Sequence, residues 1–183
     1  SFPTRRSSDL FVKEVAREMT VKAGQKCTAI RRAIVPAQHL DAVCEQLSAR
    51  LAKIAVGDPA DERVRMGPLA SHAQQADVAE RVALLRRDAE MVFSGSNDWI
   101  GEGVAQGAFC APTLLACRKP MQVDSVHTIE AFGPVSTVMA YDGLDEALAL
   151  AARGQGSLVA TLVTREPKVA AQAIPVMAAW HGR

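Results

Sequence analysis

Residues 31–36, Arg-Arg-Ala-Ile-Val-Pro, and the amphipathic stretch that follows them decide the fold class. The apolar and β-branched residues before Pro36 predict a strand that ends at the proline. After it, apolar residues recur at helical spacing on one stripe: Leu40, Val43, Cys44, Leu47, Leu51 and Ile54. Because such a stripe must be buried against another element, a strand followed by this helix predicts an α/β layer. Cys44 lies within the stripe and is expected to be a small core hydrophobe.

The same alternation continues on both sides of this unit. Phe11, Val12, Val15 and Met19 share one helical face, and Ser71 followed by Gln74 is a capping-box signature for a helix that runs to Arg87. Strands are predicted at residues 90–93, 109–115, 135–141 and 158–164, with a helix at 144–152 begun by Asp142 and a surface loop at 101–107. This order predicts a largely parallel sheet flanked by helices.

Composition excludes several classes of protein. The chain has 183 residues, of which 49% are hydrophobic and 22% charged, enough for one core. A net charge of +1 gives no indication of a nucleic acid or a membrane surface as partner. No apolar run approaches the ~20 residues that span a bilayer.

The cysteines and histidines favour neither disulfides nor a metal. The four cysteines have no CxxC pairing and are too few for a disulfide framework, so a reducing cytoplasm is predicted. The four histidines, His39, His72, His127 and His181, lack metal-ligand spacing and are expected to be surface or capping residues.

Two short segments about a hundred residues apart carry the chemistry: GQKC at 24–27 and EAFGP at 130–134. The first belongs to a longer run at 19–32, MTVKAGQKCTAIRR. Further blocks follow in order: VGDP at 56–59, MGPL at 66–69 and GAFCAPT at 107–113. Residues 11–183 thus resemble the aldehyde dehydrogenase superfamily. The run at 19–32 is similar to the branch that oxidises a ring-opened coenzyme A semialdehyde in phenylacetate degradation.

The resemblance implies a catalytic-domain fold of aldehyde dehydrogenase type and a division of roles among three residues. Cys27 would be the nucleophile that forms a thiohemiacetal and then a thioester. Glu130 and Phe132 would hold the ribose on the nicotinamide side of NAD or NADP, the carboxylate by accepting hydrogen bonds from the sugar hydroxyls. The substrate would be an aldehyde, expected to be CoA-linked, and the parent enzyme a homo-oligomer.

The residues around Cys27 suit a nucleophile. Lys22 and Lys26 are near in sequence, and a positive neighbour increases the thiolate fraction. The Cys27 N–H is a candidate donor to a developing oxyanion. The alternative is a buried structural thiol, but a cysteine between Lys26 and Thr28 does not extend an apolar face. For Glu130, the alternative is a solvated carboxylate before a turn.

Residues 1–10, SFPTRRSSDL, stand outside the resemblance and are interpreted as a translated sequencing adapter. The general-base glutamate, the oxyanion-hole asparagine and most coenzyme-binding residues of the family would lie upstream of Phe11. We therefore expect an internal fragment, truncated at both ends and inactive by itself.

Three alternatives remain open from the sequence. The first is a CoA-acylating aldehyde dehydrogenase, in which a thiol replaces water in the second step. The second is a cysteine hydrolase or acyltransferase that pairs Cys27 with a histidine, which requires a histidine within reach of the thiol. The third is a non-functional translated fragment.

Overall fold

The computed structural model describes residues 4–155 and 157–182, with side chains described from Asp9 onward. The predicted helices and strands are present, except for the strand expected at 158–164. The helices are α1 Thr4–Thr20, α2 Leu40–Leu51, α3 His72–Leu85, α4 Ser125–Thr128, α5 Leu144–Ala152 and α6 Pro167–Ala178. The strands are β1 Arg32–Pro36, β2 Glu90–Ser94, β3 Thr113–Cys117 and β4 Val135–Tyr141.

The four strands form one sheet in the order β1-β4-β3-β2. Strand β4 is parallel to both β1 and β3, and only β2 is antiparallel, pairing with β3 at the edge. Every residue of β3 is buried, as expected for a strand covered on both faces. The predicted α/β fold with a largely parallel sheet flanked by helices is confirmed.

Helices α1 and α2 cover one face of the sheet. The buried apolar residues of α1 are spaced by three and four positions, so that they form a single stripe: Val12, Val15, Ala16 and Met19. They pack with the predicted stripe of α2 from Leu40 to Leu51 and with strand residues that point the same way, including Val35 and Val138. The prediction is wrong for Ile54, which lies beyond the end of α2 and packs with the core on the opposite face. The core prediction for Cys44 is confirmed, since it is buried in this cluster.

The opposite face packs against α3, α4 and the connecting loops. Leu115 and Met139 point to this side, where they meet Val78 and Leu85 of α3. The Ser71 hydroxyl caps α3 by accepting from the backbone N–H of Gln74 at 3.1 Å, as the sequence predicted.

The segment 158–164 is not a strand, so that prediction is wrong. Among the described backbone hydrogen bonds, one involves this segment: the Gly182 N–H donates to the Leu158 carbonyl. A strand requires a neighbour to complete its ladder, and the described sheet ends at β1 without pairing to this segment. The β-branched residues of this segment favour a strand, but strand propensity alone does not provide a neighbouring strand to pair with.

Other boundaries differ by a few residues. Strand β3 begins at Thr113 rather than at Phe109, and α3 ends at Leu85. Helix α6 was not predicted, because Pro175 lies inside it and prolines normally interrupt helices. Helix α1 begins at Thr4, and the origin of residues 1–10 stays a prediction. No described helix is long and apolar enough to cross a bilayer.

Candidate active site

The two segments predicted to contain the functional residues meet at the amino-terminal ends of strands β1 and β4. The loop that holds Cys27 leads into β1, and residues 130–134 lead into β4. Because β1 and β4 are parallel neighbours, with Arg32 opposite Thr137, their incoming loops lie side by side. A Cβ added to Gly24 would lie 2.0 Å from the carbonyl oxygen of Gly133. Only glycine therefore permits this approach between the two backbones.

The loop before Cys27 is turned by three consecutive residues in the left-handed region. Lys22, Ala23 and Gly24 have φ values of 55°, 51° and 70°, a conformation that costs non-glycine residues on the order of 1–2 kcal/mol each. Ala23 and Gly24 are both buried. The packing of these two residues thus maintains a strained turn three residues before the thiol.

Cys27 itself is exposed and its thiol is free. The Ala29 N–H donates to the Lys26 carbonyl at 3.1 Å and closes a turn around Cys27. Among the described hydrogen bonds none uses the Cys27 N–H, so this group is available to a ligand. The three other cysteines are less accessible: burial raises the pKa of Cys44 and of Cys110 to about 11, and also raises that of Cys117.

The electrostatic setting of Cys27 differs from the prediction. The Lys26 ammonium forms an ion pair with Glu18 of α1, and both side chains are about four-fifths buried. Its charge is therefore matched by a carboxylate and does not act on the thiol as an isolated positive neighbour. The sequence could not reveal this pair, because Glu18 belongs to the preceding helix and faces Lys26 only after the left-handed turn.

Glu130 and Phe132 project from the second segment in the same outward sense. Ala131 between them is buried, whereas Glu130 and Phe132 are exposed. The Glu130 side chain is 49% exposed and its Oε1 lies 3.4 Å from Nε of Arg31. Phe132 is 36% exposed. The buried Ala131 thus anchors a segment that presents a carboxylate and an aromatic ring to solvent.

The N-terminal end of α3, from Ala70 just before the N-cap to Gln74 in the first turn, contacts both segments, which sequence reasoning did not foresee. The Ala70 N–H donates to Oε1 of Gln25 at 2.8 Å, and Nε2 of Gln74 donates to the carbonyl oxygen of Phe132 at 3.0 Å. The capping-box signature identified Gln74, but it predicted a bond back to Ser71 instead.

A polar network lies behind the second segment. Arg32 donates to the carbonyls of Leu150 and Ala151 at 2.8 and 3.2 Å, at the C-terminal end of α5. Its Nη1 also lies 3.2 Å from Nδ1 of His127, whose Nε2 lies 2.9 Å from the Pro120 carbonyl. Since a guanidinium only donates, Nδ1 accepts and Nε2 carries the proton.

Burial sets the charge state of this network. His127 is 4% exposed, so the prediction of a surface or capping role is wrong for this residue. Burial lowers the pKa of His127, which favours the neutral ring that the hydrogen bonds require. Burial, with Arg31 nearby, lowers the pKa of Arg32 to about 10, so it stays charged at neutral pH.

Arg153 attaches the same region to α5. It donates to the carbonyls of Pro120 and Met121 at 3.1 and 2.9 Å and forms an ion pair with Asp124. These residues precede α4, which leads directly to Glu130. The network therefore fixes the chain from which the second segment departs.

The histidines give no support to a cysteine hydrolase. The ring nitrogens of His72 contact Gln75 and the Gln106 carbonyl, each at 3.1 Å. His39 lies beyond β1, at the strand end opposite to the Cys27 loop. Among the described hydrogen bonds, none joins Cys27 to a histidine.

Comparison with known proteins identifies the family of the chain. The profile described as the "Aldehyde dehydrogenase family" matches residues 7–179. The chain belongs to the aldehyde dehydrogenase family. It is 46% identical over 177 residues to the 3,4-dehydroadipyl-CoA semialdehyde dehydrogenase of Aromatoleum evansii, covering 96% of this chain and 34% of that protein.

Solved aldehyde dehydrogenases share the fold. Aldehyde dehydrogenase C of Pseudomonas syringae, crystallised as a mutant with NAD+ and octanal, has a TM-score of 0.75 and 29% identity, covering 93% of this chain and 35% of that one. Betaine aldehyde dehydrogenase of Staphylococcus aureus, in complex with NAD+, has a TM-score of 0.82 and 24% identity, covering 92% and 33%. The chain spans about a third of the length of these relatives.

Proposed function

We propose that this chain contributes the nucleophile and part of the coenzyme site to an NAD(P)-dependent aldehyde dehydrogenase that oxidises a CoA-linked semialdehyde to the acid. The observation that carries the proposal is the contact of Gly24 with Gly133, which brings the exposed thiol of Cys27 to the same edge as Glu130 and Phe132. The similarity to a CoA-semialdehyde dehydrogenase supports the substrate class. Phenylacetate degradation is the proposed pathway.

Cys27 begins the reaction. Its thiolate sulfur forms a bond to the carbonyl carbon, and the π electrons move to the oxygen, which gives a thiohemiacetal. The Cys27 N–H, which none of the described hydrogen bonds uses, would donate to that oxygen, and a donor directed at developing charge lowers the barrier. The thiol is exposed in this segment of the protein.

Glu130 and Phe132 fit the ribose and ring of a nicotinamide cofactor. Oε1 of Glu130 faces Arg31, which leaves Oε2 to accept from ribose hydroxyls. The exposed Phe132 ring offers an apolar surface beside it. When bound, NAD(P)+ supplies the oxidising power for conversion of the thiohemiacetal to a thioester.

The second step releases the product from Cys27. Attack of water on the thioester breaks the C–S bond, releases the acid and returns the thiolate, and the proton of water passes to a base. The family resemblance places that base upstream of Phe11. If the thiol of free CoA attacks instead, the former aldehyde carbon becomes a second CoA thioester in place of the acid, which is the alternative reaction.

Product analysis tests the proposal and separates the two reactions. The full-length protein that carries this segment is incubated with a CoA-linked semialdehyde and NAD+ or NADP+, with and without free CoA. We expect the acid under both conditions, with reduced cofactor in equal amount. Formation of a product with a second CoA thioester only when free CoA is present would favour the acylating alternative, and no oxidation with either cofactor would contradict the function.

Five further properties belong to the proposal. We infer that residues 11–183 are part of the catalytic domain, that residues 1–10 are not native, and that this segment alone is inactive in the same assay. We also infer a cytoplasmic homo-oligomer. Resequencing of the gene tests the first ten residues, and light scattering on the full-length protein tests the oligomeric state.

A further inference from the structure

The N-terminal end of α3, from Ala70 just before the N-cap to Gln74 in the first turn, links the two segments of the proposed site. Gln25, two residues before Cys27, accepts from the Ala70 N–H through Oε1 at 2.8 Å. Gln74 donates from Nε2 to the Phe132 carbonyl at 3.0 Å. Ala70 and Gln74 lie on either side of the α3 N-cap. One short stretch of backbone therefore contacts both the nucleophile loop and the segment that carries Phe132.

Further contacts fix this linkage. A Cβ on Gly133 would lie 2.7 Å from Cγ2 of Val78, one helical turn beyond Gln74. The backbone of Gln74 is itself held, because its N–H donates to the Ser71 hydroxyl. Because the cap fixes the Cα of Gln74, the hydrogen bond from its side chain also fixes the position of the carbonyl that accepts it.

The Gln74 bond is more than ordinary helix capping. Helix α3 is capped by Ser71, and that cap uses the Gln74 N–H but not the Gln74 side-chain amide. The amide reaches instead to a residue 58 positions along the chain. Ordering a glutamine side chain costs conformational entropy. Here the ordered side chain fixes the orientation of the peptide bond between Phe132 and Gly133.

We propose that Gln74 is a positioning residue that sets the placement of Phe132 relative to Cys27. This inference rests on the proposed function, because Phe132 matters to the reaction only if its ring packs beside the cofactor. The amide holds the Phe132 carbonyl, while the Gln25–Ala70 bond holds the nucleophile loop against the same turn. Loss of the amide donor frees the Phe132 peptide and changes the separation of cofactor and thiol.

Two substitutions at Gln74 distinguish the effect of its hydrogen-bond donor from the effect of its side-chain size. Gln74→Glu is nearly isosteric but replaces the donor by a carboxylate oxygen facing a carbonyl oxygen. Gln74→Lys keeps a donor at the end of a chain of similar reach. The matched control is Gln75→Glu, because Gln75 lies on the same helical turn and donates from Nε2 to the Phe109 carbonyl at 2.5 Å, away from both segments.

The test uses the full-length protein and two measurements independent of turnover. Without cofactor, Gln74→Glu should increase hydrogen–deuterium exchange at residues 130–134. It should also change the alkylation rate of Cys27 by iodoacetamide. With cofactor, its KM for NAD(P)+ should rise about three- to tenfold, the usual range for losing one hydrogen bond. Gln74→Lys should recover part of the change, and Gln75→Glu should leave all three quantities near those of the unsubstituted protein.

Each other outcome counts against the proposal. Unchanged exchange at 130–134 in Gln74→Glu would overturn it, as would an equal rise in KM for Gln75→Glu, which would indicate general loss of stability. If Gln74→Glu does not fold, Gln74→Met decides in its place, because it removes the donor without adding charge. An unsubstituted protein that oxidises no aldehyde would refute the proposed function, while exchange and alkylation would still decide whether Gln74 positions the segment.

Discussion

The two faces of the sheet differ in how their buried residues are held. On the α1–α2 face, apolar stripes of two helices pack against alternate strand residues. The opposite face combines apolar packing with a partly buried arginine and a buried histidine, and the proposed site lies where its loops enter β1 and β4. The comparison teaches that one face chiefly stabilises the fold, whereas the other also fixes the position of the loops. Substitutions on the two faces should therefore separate stability from activity.

The largest expected effect is on the rate of aldehyde oxidation, without a change in stability or in cofactor affinity. Cys27→Ala in the full-length protein should reduce aldehyde oxidation at least about a thousandfold, because the covalent intermediate cannot form. The free energy of unfolding and the affinity for cofactor should stay close to the parental values, because Cys27 is exposed. Steady-state kinetics, cofactor titration and urea unfolding measure the three quantities. Near-parental turnover would contradict covalent catalysis at this residue.

The reverse result is expected on the α1–α2 face. Leu47 is fully buried in α2, and Leu47→Ala should lower the free energy of unfolding by about 2–5 kcal/mol through lost contacts and a cavity. Turnover per folded molecule should change little. Gln46→Ala, at an exposed position of the same helix, is the control and should stay within about 0.5 kcal/mol. A loss of kcat in Leu47→Ala without a loss of stability would contradict the proposed difference between the two faces.

The difference between the faces also explains what the sequence could predict. Local periodicity sufficed for α1 and α2, because the residues of an apolar stripe lie within a few turns of each other. The partners of Arg32 are 95 to 119 positions away, so no local pattern indicated that His127 is buried. The motifs at 24–27 and 130–134 predicted which segments meet, but they did not indicate the Glu18–Lys26 ion pair or the Gln74 bond.

The buried network should make stability depend on pH. Burial lowers the folded-state pKa of His127 below its ordinary value of 6.5, Arg153 and Arg32 add to the effect, and the Pro120 carbonyl and Asp124 oppose it. The unfolded state therefore binds the proton more readily, so this contribution is complete above pH 6.5 and is lost as the pH falls toward the folded-state pKa. Urea unfolding between pH 7.5 and 5 measures it.

Two variants separate the titration from the hydrogen bonds of His127. His127→Gln keeps an acceptor and a donor and should flatten this part of the pH profile. His127→Ala should cost about 1–3 kcal/mol at pH 7.5, because it removes one of the two donors to the Pro120 carbonyl and leaves part of Arg32 without an acceptor. An unchanged pH profile in His127→Gln would show that other groups dominate.

Glu130→Gln tests the side of the site that binds the cofactor. The amide keeps the size of the carboxylate but lacks its charge, and hydrogen bonds to charged groups are the stronger ones. We expect the Kd for NAD(P)+ to rise about tenfold, with little change in the alkylation rate of Cys27. Glu102→Gln, in an exposed loop, is the matched control. Equal effects of the two substitutions would remove Glu130 from the site.

The smallest effect is expected from Arg31, which lies 3.4 Å from Glu130. The pair is partly exposed, and such pairs contribute about 0.2–1 kcal/mol, so Arg31→Gln should raise the Kd for NAD(P)+ about two- to fivefold. Arg31→Lys, which keeps the charge, should change it less.

A double-substitution cycle decides whether Arg31 acts through Glu130. If Arg31 only orients that carboxylate, Arg31→Gln should have no further effect on cofactor Kd once Glu130→Gln is present, because the partner charge is gone. The single effect should also shrink as salt rises, since the pair is open to solvent. Additive effects would instead indicate that Arg31 contacts the cofactor itself. In that case the guanidinium is a binding group of the loop that follows Cys27, and both loops contribute a charge to the same ligand.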